Sequence, residues 1–276
     1  MAAIGKNNTL EVVRMVDFGA YLDGEELGEI LMPQKYLPQD CKPGDQVDVF
    51  VYLDSEDRLV ATTEKPYAMV GEFASLKVVS VNTVGAFLDW GLLKDLLVPY
   101  REQKQKMEVD RYYLVYIYLD HESKRIVASA KIEKHVDNVL PDYEEGQEVD
   151  LIICNPTELG YKAIINNAHF GMLYNNEVFT TLRRGQHLKG YIKKIREDEK
   201  IDLTLHKPGY EKVEDFTETI VEKLKNSGGF IPVNDKTPSD TIYGLFGVSK
   251  KTFKKAIGAL YKNRVITIEE NGIRLC

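Results

Sequence analysis

Two groups of residues in this chain could act together if the fold brings them side by side: Phe18 and Tyr21 with Arg58, and Phe87 with Arg125. A ring open to solvent can take the flat face of a nucleic-acid base while a neighbouring cation holds the phosphate, at ~1–3 kcal/mol per stacked base. The competing reading is structural: the rings plug the end of a domain and each arginine pairs with a nearby aspartate. Two further sets offer charge alone. Between Val178 and Arg196 lie Arg183, Arg184, Lys189, Lys193, Lys194 and Arg196 with no acidic residue among them, which reads as a phosphate track or as a solvated surface. After Ser249, helical spacing puts Lys251, Lys254, Lys255 and Lys262 on one face around Gly258. With no acid on that face, it reads as a recognition helix, against the plainer alternative of a solvated lysine face.

Nothing in the chain is spaced for catalysis. His121, His135, His169, His187 and His206 show no metal-ligand spacing, and Cys41, Cys154 and Cys276 are far apart with no Cys-x-x-Cys pair. Neither a nucleophile elbow nor a glycine-rich phosphate loop occurs. The expectation is a non-enzymatic chain with no metal and no cofactor.

The candidate rings recur because the chain repeats. Asp17-Phe18-Gly19-Ala20-Tyr21-Leu22-Asp23 returns as Thr83-Val84-Gly85-Ala86-Phe87-Leu88-Asp89, 66 residues later. Val51 to Asp54 returns as Ile117 to Asp120 at the same interval, and Arg58 to Thr62 returns as Arg125 to Ser129 with one residue inserted. A degenerate third copy follows, through Glu158 to Ile164, Gly185 to Ile192 and Lys200 to Leu205. Short linkers separate the copies, so the layout expected is beads on a short string.

Each copy must place its rings on strands. Val47, Val49, Val51 and Leu53 alternate with Asp48, Phe50 and Tyr52, the period of a half-buried strand, and Leu59 to Thr62 closes the copy with another. About five short strands per copy, punctuated by glycine, fit a small closed Greek-key barrel of the OB type. If the valines point inward, Phe50 and Tyr52, echoed by Tyr116 and Tyr118, point outward, toward a ligand or a neighbouring barrel.

The last part of the chain changes period. Phe216, Ile220 and Leu224 predict a helix, Phe230-Ile231 a short strand, and Pro238-Ser239 a second helix that buries Ile242, Leu245 and Phe246 before Gly247 ends it. Ser249 caps a third helix with a stripe of Phe253, Ala256, Ile257, Leu260 and Tyr261, and Asn271-Gly272 turns a closing hairpin. That order is a winged helix. Glu269-Glu270 at its wing would repel phosphate.

The Phe/Val-Gly-Ala-aromatic-Leu-Asp strands (18–23 and 84–89), the Gly-Asp/Gln-x-Val strand start and the Asp-x-x-x-Arg turn from Asp54 to Arg58 resemble S1 RNA-binding domains. With the third copy and Gly244 to Lys251, the whole arrangement is similar to the conserved virulence factor B family of bacterial RNA-binding proteins. The resemblance implies an RNA face of Phe18, Tyr21, Asp54 and Arg58 in the first copy, Phe87, Asp120 and Arg125 in the second, and Tyr161, shifted by one, in the third. The histidine of the S1 pattern is missing. The fold class expected is multidomain: all-β, S1-like, five-stranded OB barrels over 1–66, 67–140 and 141–208, the last degenerate, then an α/β winged-helix domain over 209–276.

Charge and hydropathy bound the rest. The formal net charge is −7, and all the excess acidity sits in residues 1–140, where 16 Lys and Arg face 23 Asp and Glu; residues 141–276 hold 20 of each. Any phosphate grip is therefore expected in the second half. No apolar run is long enough to span a bilayer and the start carries no signal core, so a cytoplasmic location with no membrane partner is expected. The leading expectation is binding of single-stranded RNA with low sequence specificity, in post-transcriptional regulation of gene expression. The alternatives are a DNA-binding transcription regulator acting through the winged helix, and a protein-interaction scaffold.

Overall fold

The computed structural model describes the chain except residues 176, 179 and 206–212, and the side chains of 213–215. The boundary expected at 208/209 and His206 lie outside the described residues. Two compact units emerge, one built on Met1–Val139 and the other on Leu140–Ile165, Phe170–Arg183 and His187–Cys276.

The first barrel comprises β1 (Asn7–Val16), β2 (Gly19–Asp23), β3 (Glu29–Pro33), β4 (Gln46–Leu53) and β5 (Leu59–Thr62). The second repeats them as β6 (Phe73–Val81), β7 (Gly85–Asp89), β8 (Leu96–Pro99), β9 (Tyr112–Leu119) and β10 (Ile126–Ser129). The third does so as β11 (Glu148–Pro156), β12 (Gly160–Ile165), β13 (His169–Tyr174), β14 (His187–Ile195) and β15 (Ile201–Thr204). All three close identically, in the order first, second, third, fifth, fourth strand. The closing pair of third and fifth strands is parallel, through Leu31 and Val60, Leu97 and Val127, and Gly171 and Ile201. These are five-stranded OB-type barrels.

The repeated glycine has one job in every copy. A Cβ on Gly19, Gly85 or Gly160 would stand 2.1, 2.2 or 1.9 Å from the carbonyl oxygen of Met32, Val98 or Leu173 on the third strand. Only a residue without a side chain lets the second strand lie that close to the third.

The alternation along β4 works as the period requires. Val47, Val49 and Val51 enter the first barrel's core with Leu10, Val12, Leu22 and Met32. Phe50 and Tyr52, on the opposite face, are nevertheless buried, because they join the core of the second barrel with Trp90 and Leu92. The first two barrels are thus not loose beads; they share apolar packing. Tyr116 and Tyr118 are covered differently, by His135 of a short 3-10 turn, Ile132–His135, whose ring stacks on them at centroid distances of 4.1 and 5.5 Å.

The last domain comprises α1 (Val213–Asn226), β16 (Phe230–Ile231), α2 (Ser239–Phe246), α3 (Lys250–Lys262), β17 (Ile266–Glu269) and β18 (Gly272–Leu275), with strand order β16-β18-β17. Gly247 ends α2 in the left-handed conformation (φ 69°), and the Ser249 hydroxyl accepts the Thr252 N–H at 3.2 Å to start α3. Phe216, Ile220, Leu224, Ile242, Phe253, Ala256, Ile257 and Leu260 build the core. Three expected core residues differ. Leu245 is partly exposed and Phe246 only half-buried, because of α2 only Ile242 goes fully under. Tyr261 is 57% exposed. One residue beyond Leu260 is about 100° around the helix, which carries Tyr261 off the stripe.

Among the described residues no helix is long and apolar enough to cross a membrane.

Candidate nucleic-acid interface

Phe18 sits in the turn between β1 and β2 and is 58% exposed. Its backbone is fixed rather than loose: the Phe18 carbonyl accepts the Gln34 N–H at 2.9 Å. Tyr21 stands outward on β2, half-buried, with the Arg14 guanidinium 4.0 Å from its ring centroid. Arg14 also forks onto Glu29 of β3 at 2.7 and 3.3 Å, and that hydrogen bonding holds the Glu29 carboxyl below its usual range. The cation on the Tyr21 ring is therefore Arg14, a residue the sequence pattern did not single out.

Arg58 is engaged locally. Its guanidinium grips the Asp54 carboxylate at 2.9 and 2.7 Å and lies 3.0 Å from Glu56. Asp54 also accepts the backbone N–H groups of Glu56 and Arg58, at 2.8 and 3.0 Å. Burial pushes the Asp54 carboxyl up, but the hydrogen bonds from Arg58 and Glu56 outweigh it and hold it low. For Arg58 the structural pairing describes the contact; for Phe18 the ring faces water.

In the second barrel Val84, 53% exposed, takes the place of Phe18, and Phe87 takes that of Tyr21, half-buried on β7. The inserted residue changes the β9–β10 turn. Lys124 adopts a positive φ of 57°, and Asp120 bonds the backbone and hydroxyl of Ser123 at 3.0 and 2.6 Å, with Arg101 at 3.5 Å. Arg125 instead pairs with Asp57 of the first barrel.

In the third barrel the close approach fixes the alignment on Gly160, so Tyr161 stands where Ala20 and Ala86 stand. It packs against that barrel's core and is not the counterpart of Tyr21. Lys162 occupies that place, with its ammonium 3.3 Å from the Phe170 ring centroid. Two residues on, along the same face of β13, are Met172 and then Tyr174, all half-buried. Arg196 pairs with Asp202 at 3.0 Å and donates to the Tyr174 hydroxyl. Aligning the copies on glycine rather than on the aromatic would have found Lys162.

The basic stretch is less naked than its sequence. Lys189 meets Asp150 at 2.8 Å, Lys193 meets Glu177, and Arg196 meets Asp202, acids brought in from outside the stretch. Arg183, Arg184 and Lys194 are exposed. On α3, Lys254 lies 3.7 Å from Asp235, so one acid does interrupt the face. Lys251, Lys255 and Lys262 are exposed and make no ion pair among the described residues. A Cβ on Gly258 would meet nothing within 4 Å, which leaves the middle of this face open. At the wing, Glu269 is tied to Arg274 at 2.7 Å. Among the described residues no group of three or more His, Cys, Asp or Glu is placed to hold a metal ion.

Comparison with known proteins agrees with this geometry. The S1 domain family matches residues 4–64 and 70–131, and the CvfB-like winged helix domain family matches residues 218–275. The uncharacterized protein YitL of Bacillus subtilis is 28% identical, covering 97% of this chain and 92% of its own length. A conserved virulence factor B of Staphylococcus saprophyticus is 24% identical, covering 99% of this chain and 94% of its own. A crystal structure of a multidomain protein with nucleic acid binding domains from Streptococcus pneumoniae is 23% identical, with a TM-score of 0.42, covering 99% of this chain and 98% of that one. S1 domains and a winged helix are both nucleic-acid-binding modules. Two S1 domains, a third barrel closed in the same strand order and a CvfB-like winged helix, in a chain that aligns nearly end to end with YitL and the staphylococcal protein, mean that it belongs to the conserved virulence factor B family.

Proposed function

We propose that the chain binds single-stranded RNA with little sequence preference, in post-transcriptional control within the cytoplasm, and that it catalyses no reaction. The observation carrying this reading is the solvent-open Phe18 ring beside the half-buried Tyr21 at the β1–β2 end of an OB barrel. OB folds bind oligonucleotides on that strand face and at those loops. A ring offers a base its π face without reading base edges, so many sequences are accepted. Phosphate is held in the second half, by Arg184 and Lys194 and by the open α3 face of Lys251, Lys255 and Lys262. A wing whose one arginine is already tied to its glutamate supports single strands over a two-point grip on duplex DNA. The regulatory role draws on the name of the staphylococcal relatives.

The test is an electrophoretic comparison of single-stranded RNA, single-stranded DNA and duplex DNA at one stated salt concentration. The expected outcome is retardation of the RNA at the lowest protein concentration. Preference for the duplex would favour a transcription regulator, and binding of none would favour a protein scaffold.

A further inference from the structure

The β4–β5 turn of the first barrel reaches into the second. Its left-handed residue, Asp57 (φ 61°), presents a carboxylate that pairs with Arg125 and lies 3.9 Å from the Lys94 ammonium. Lys94 also donates to the carbonyl oxygens of Leu53 and Asp54, at 3.0 and 2.5 Å. The other acids of the turn, Asp54 and Glu56, are taken by Arg58. Asp57 is the one carboxylate of this turn turned toward the second barrel's cations.

One of those cations, Arg125, leads into β10, which lies two strands from that barrel's candidate ring. Phe87, Leu97 and Val127 pair side by side across β7, β8 and β10. Arg125 precedes Val127 by two residues and so continues the same face, about 7 Å further along the chain. A carboxylate and a phosphate offer a guanidinium the same pair of oxygens. We propose that Lys94 and Arg125 form a phosphodiester-binding site on the second barrel, whose place the Asp57 carboxylate holds until a nucleic-acid phosphate displaces it.

Displacement is within reach because the pair is only half shielded. Arg125 and Asp57 keep 52% and 41% of their side-chain exposure, and exposed pairs contribute at most about 1 kcal/mol. A polyanion held elsewhere on the chain competes at high local concentration. This site rests on the reading that the chain binds RNA, and it makes the acidic turn a brake on the second barrel.

The test uses the full chain and a pyrimidine-rich single-stranded RNA, titrated at several salt concentrations. Asp57→Asn is expected to tighten binding by up to about fivefold, the factor such a pair allows. The slope of log affinity against log salt should steepen by about 0.7, the share of one further phosphate. Adding Arg125→Gln should remove both gains. An Asp57→Asn chain that melts like the unsubstituted one and binds with the same affinity and slope overturns the site and leaves the pair as a pin between barrels. If that variant melts lower, ultraviolet crosslinking below its transition decides. New crosslinks in the β7–β8 and β9–β10 peptides uphold the site, and none there overturns it. An unsubstituted chain that binds no RNA sinks the RNA reading itself, whereas a silent Asp57→Asn in a binding chain sinks this site alone.

Discussion

The Phe50 ring, on an outward position of the first barrel, meets the edge of Trp90 in the second at a centroid distance of 5.7 Å and an interplanar angle of 78°. Both rings are buried, so a position that would be solvated in an isolated barrel carries core packing here. Removing Phe50 leaves a cavity between barrels as well as forfeiting the ring's own transfer energy. Phe50→Ala should cost about 3–5 kcal/mol. Trp90 is the sole tryptophan, so urea unfolding followed by its emission reports this junction directly. An unchanged midpoint would show that the shared core contributes nothing.

Gly85→Ala should destabilise the second barrel, because the new Cβ would stand 2.2 Å from the Val98 carbonyl oxygen and 3.0 Å from the Pro99 Cα. Backbone cannot swing aside as a flexible side chain does, so a cost of about 1–3 kcal/mol is expected. Thermal melting of the variant checks it. A melting temperature equal to that of the unsubstituted chain would mean that β7 and β8 separate at no cost.

Phe18→Ala combined with Tyr21→Ala should weaken single-stranded RNA binding by ~1–3 kcal/mol for each base stack removed while leaving the melting temperature nearly intact. Phe18 is exposed and Tyr21 half-buried, so little core is removed. Fluorescence-anisotropy titration alongside a melt separates the outcomes. A collapsed melting temperature with unchanged affinity would make these rings structural.

Replacing Lys251 and Lys255 by Glu should lower RNA affinity and flatten its salt dependence by about 0.7 for each single-strand phosphate no longer held. Lys254→Glu should do less, since Asp235 already shares its charge. Affinities measured across a salt series would show the ranking. Equal effects from all three would mean that the pairing of Lys254 with Asp235 does not persist in solution.

His135 makes stability depend on pH. Burial pushes its pKa down; Glu102 opposes the shift and Lys134 adds to it. The folded state therefore takes up the proton less readily than the unfolded chain, whose histidine titrates near about 6.5. Stability should be fully present above that value and fall as pH drops through it toward the folded pKa. His135→Gln should flatten the melting-temperature profile between about pH 7.5 and about pH 5.5. A profile as steep as that of the unsubstituted chain would place the titration elsewhere.

The repeat, the strand period and the caps are local signals, and local physics settled them in the sequence. The 66-residue interval and the glycines that admit the third strand specify the barrels. Ser249, Gly247 and Asn271-Gly272 specify the ends of helices and the wing by hydrogen bonds and backbone sterics within a few residues. The partners of the charged groups are another matter. Asp57 and Arg125 are 68 residues apart, and Lys193 finds Glu177, and Lys254 finds Asp235, across turns that no spacing rule encodes. Likewise Phe50 reads as an outward strand residue, and only a second barrel laid against it makes it core. Side-chain direction follows from the chain's period, but what a side chain meets is decided by which distant segments the closed sheets bring beside it.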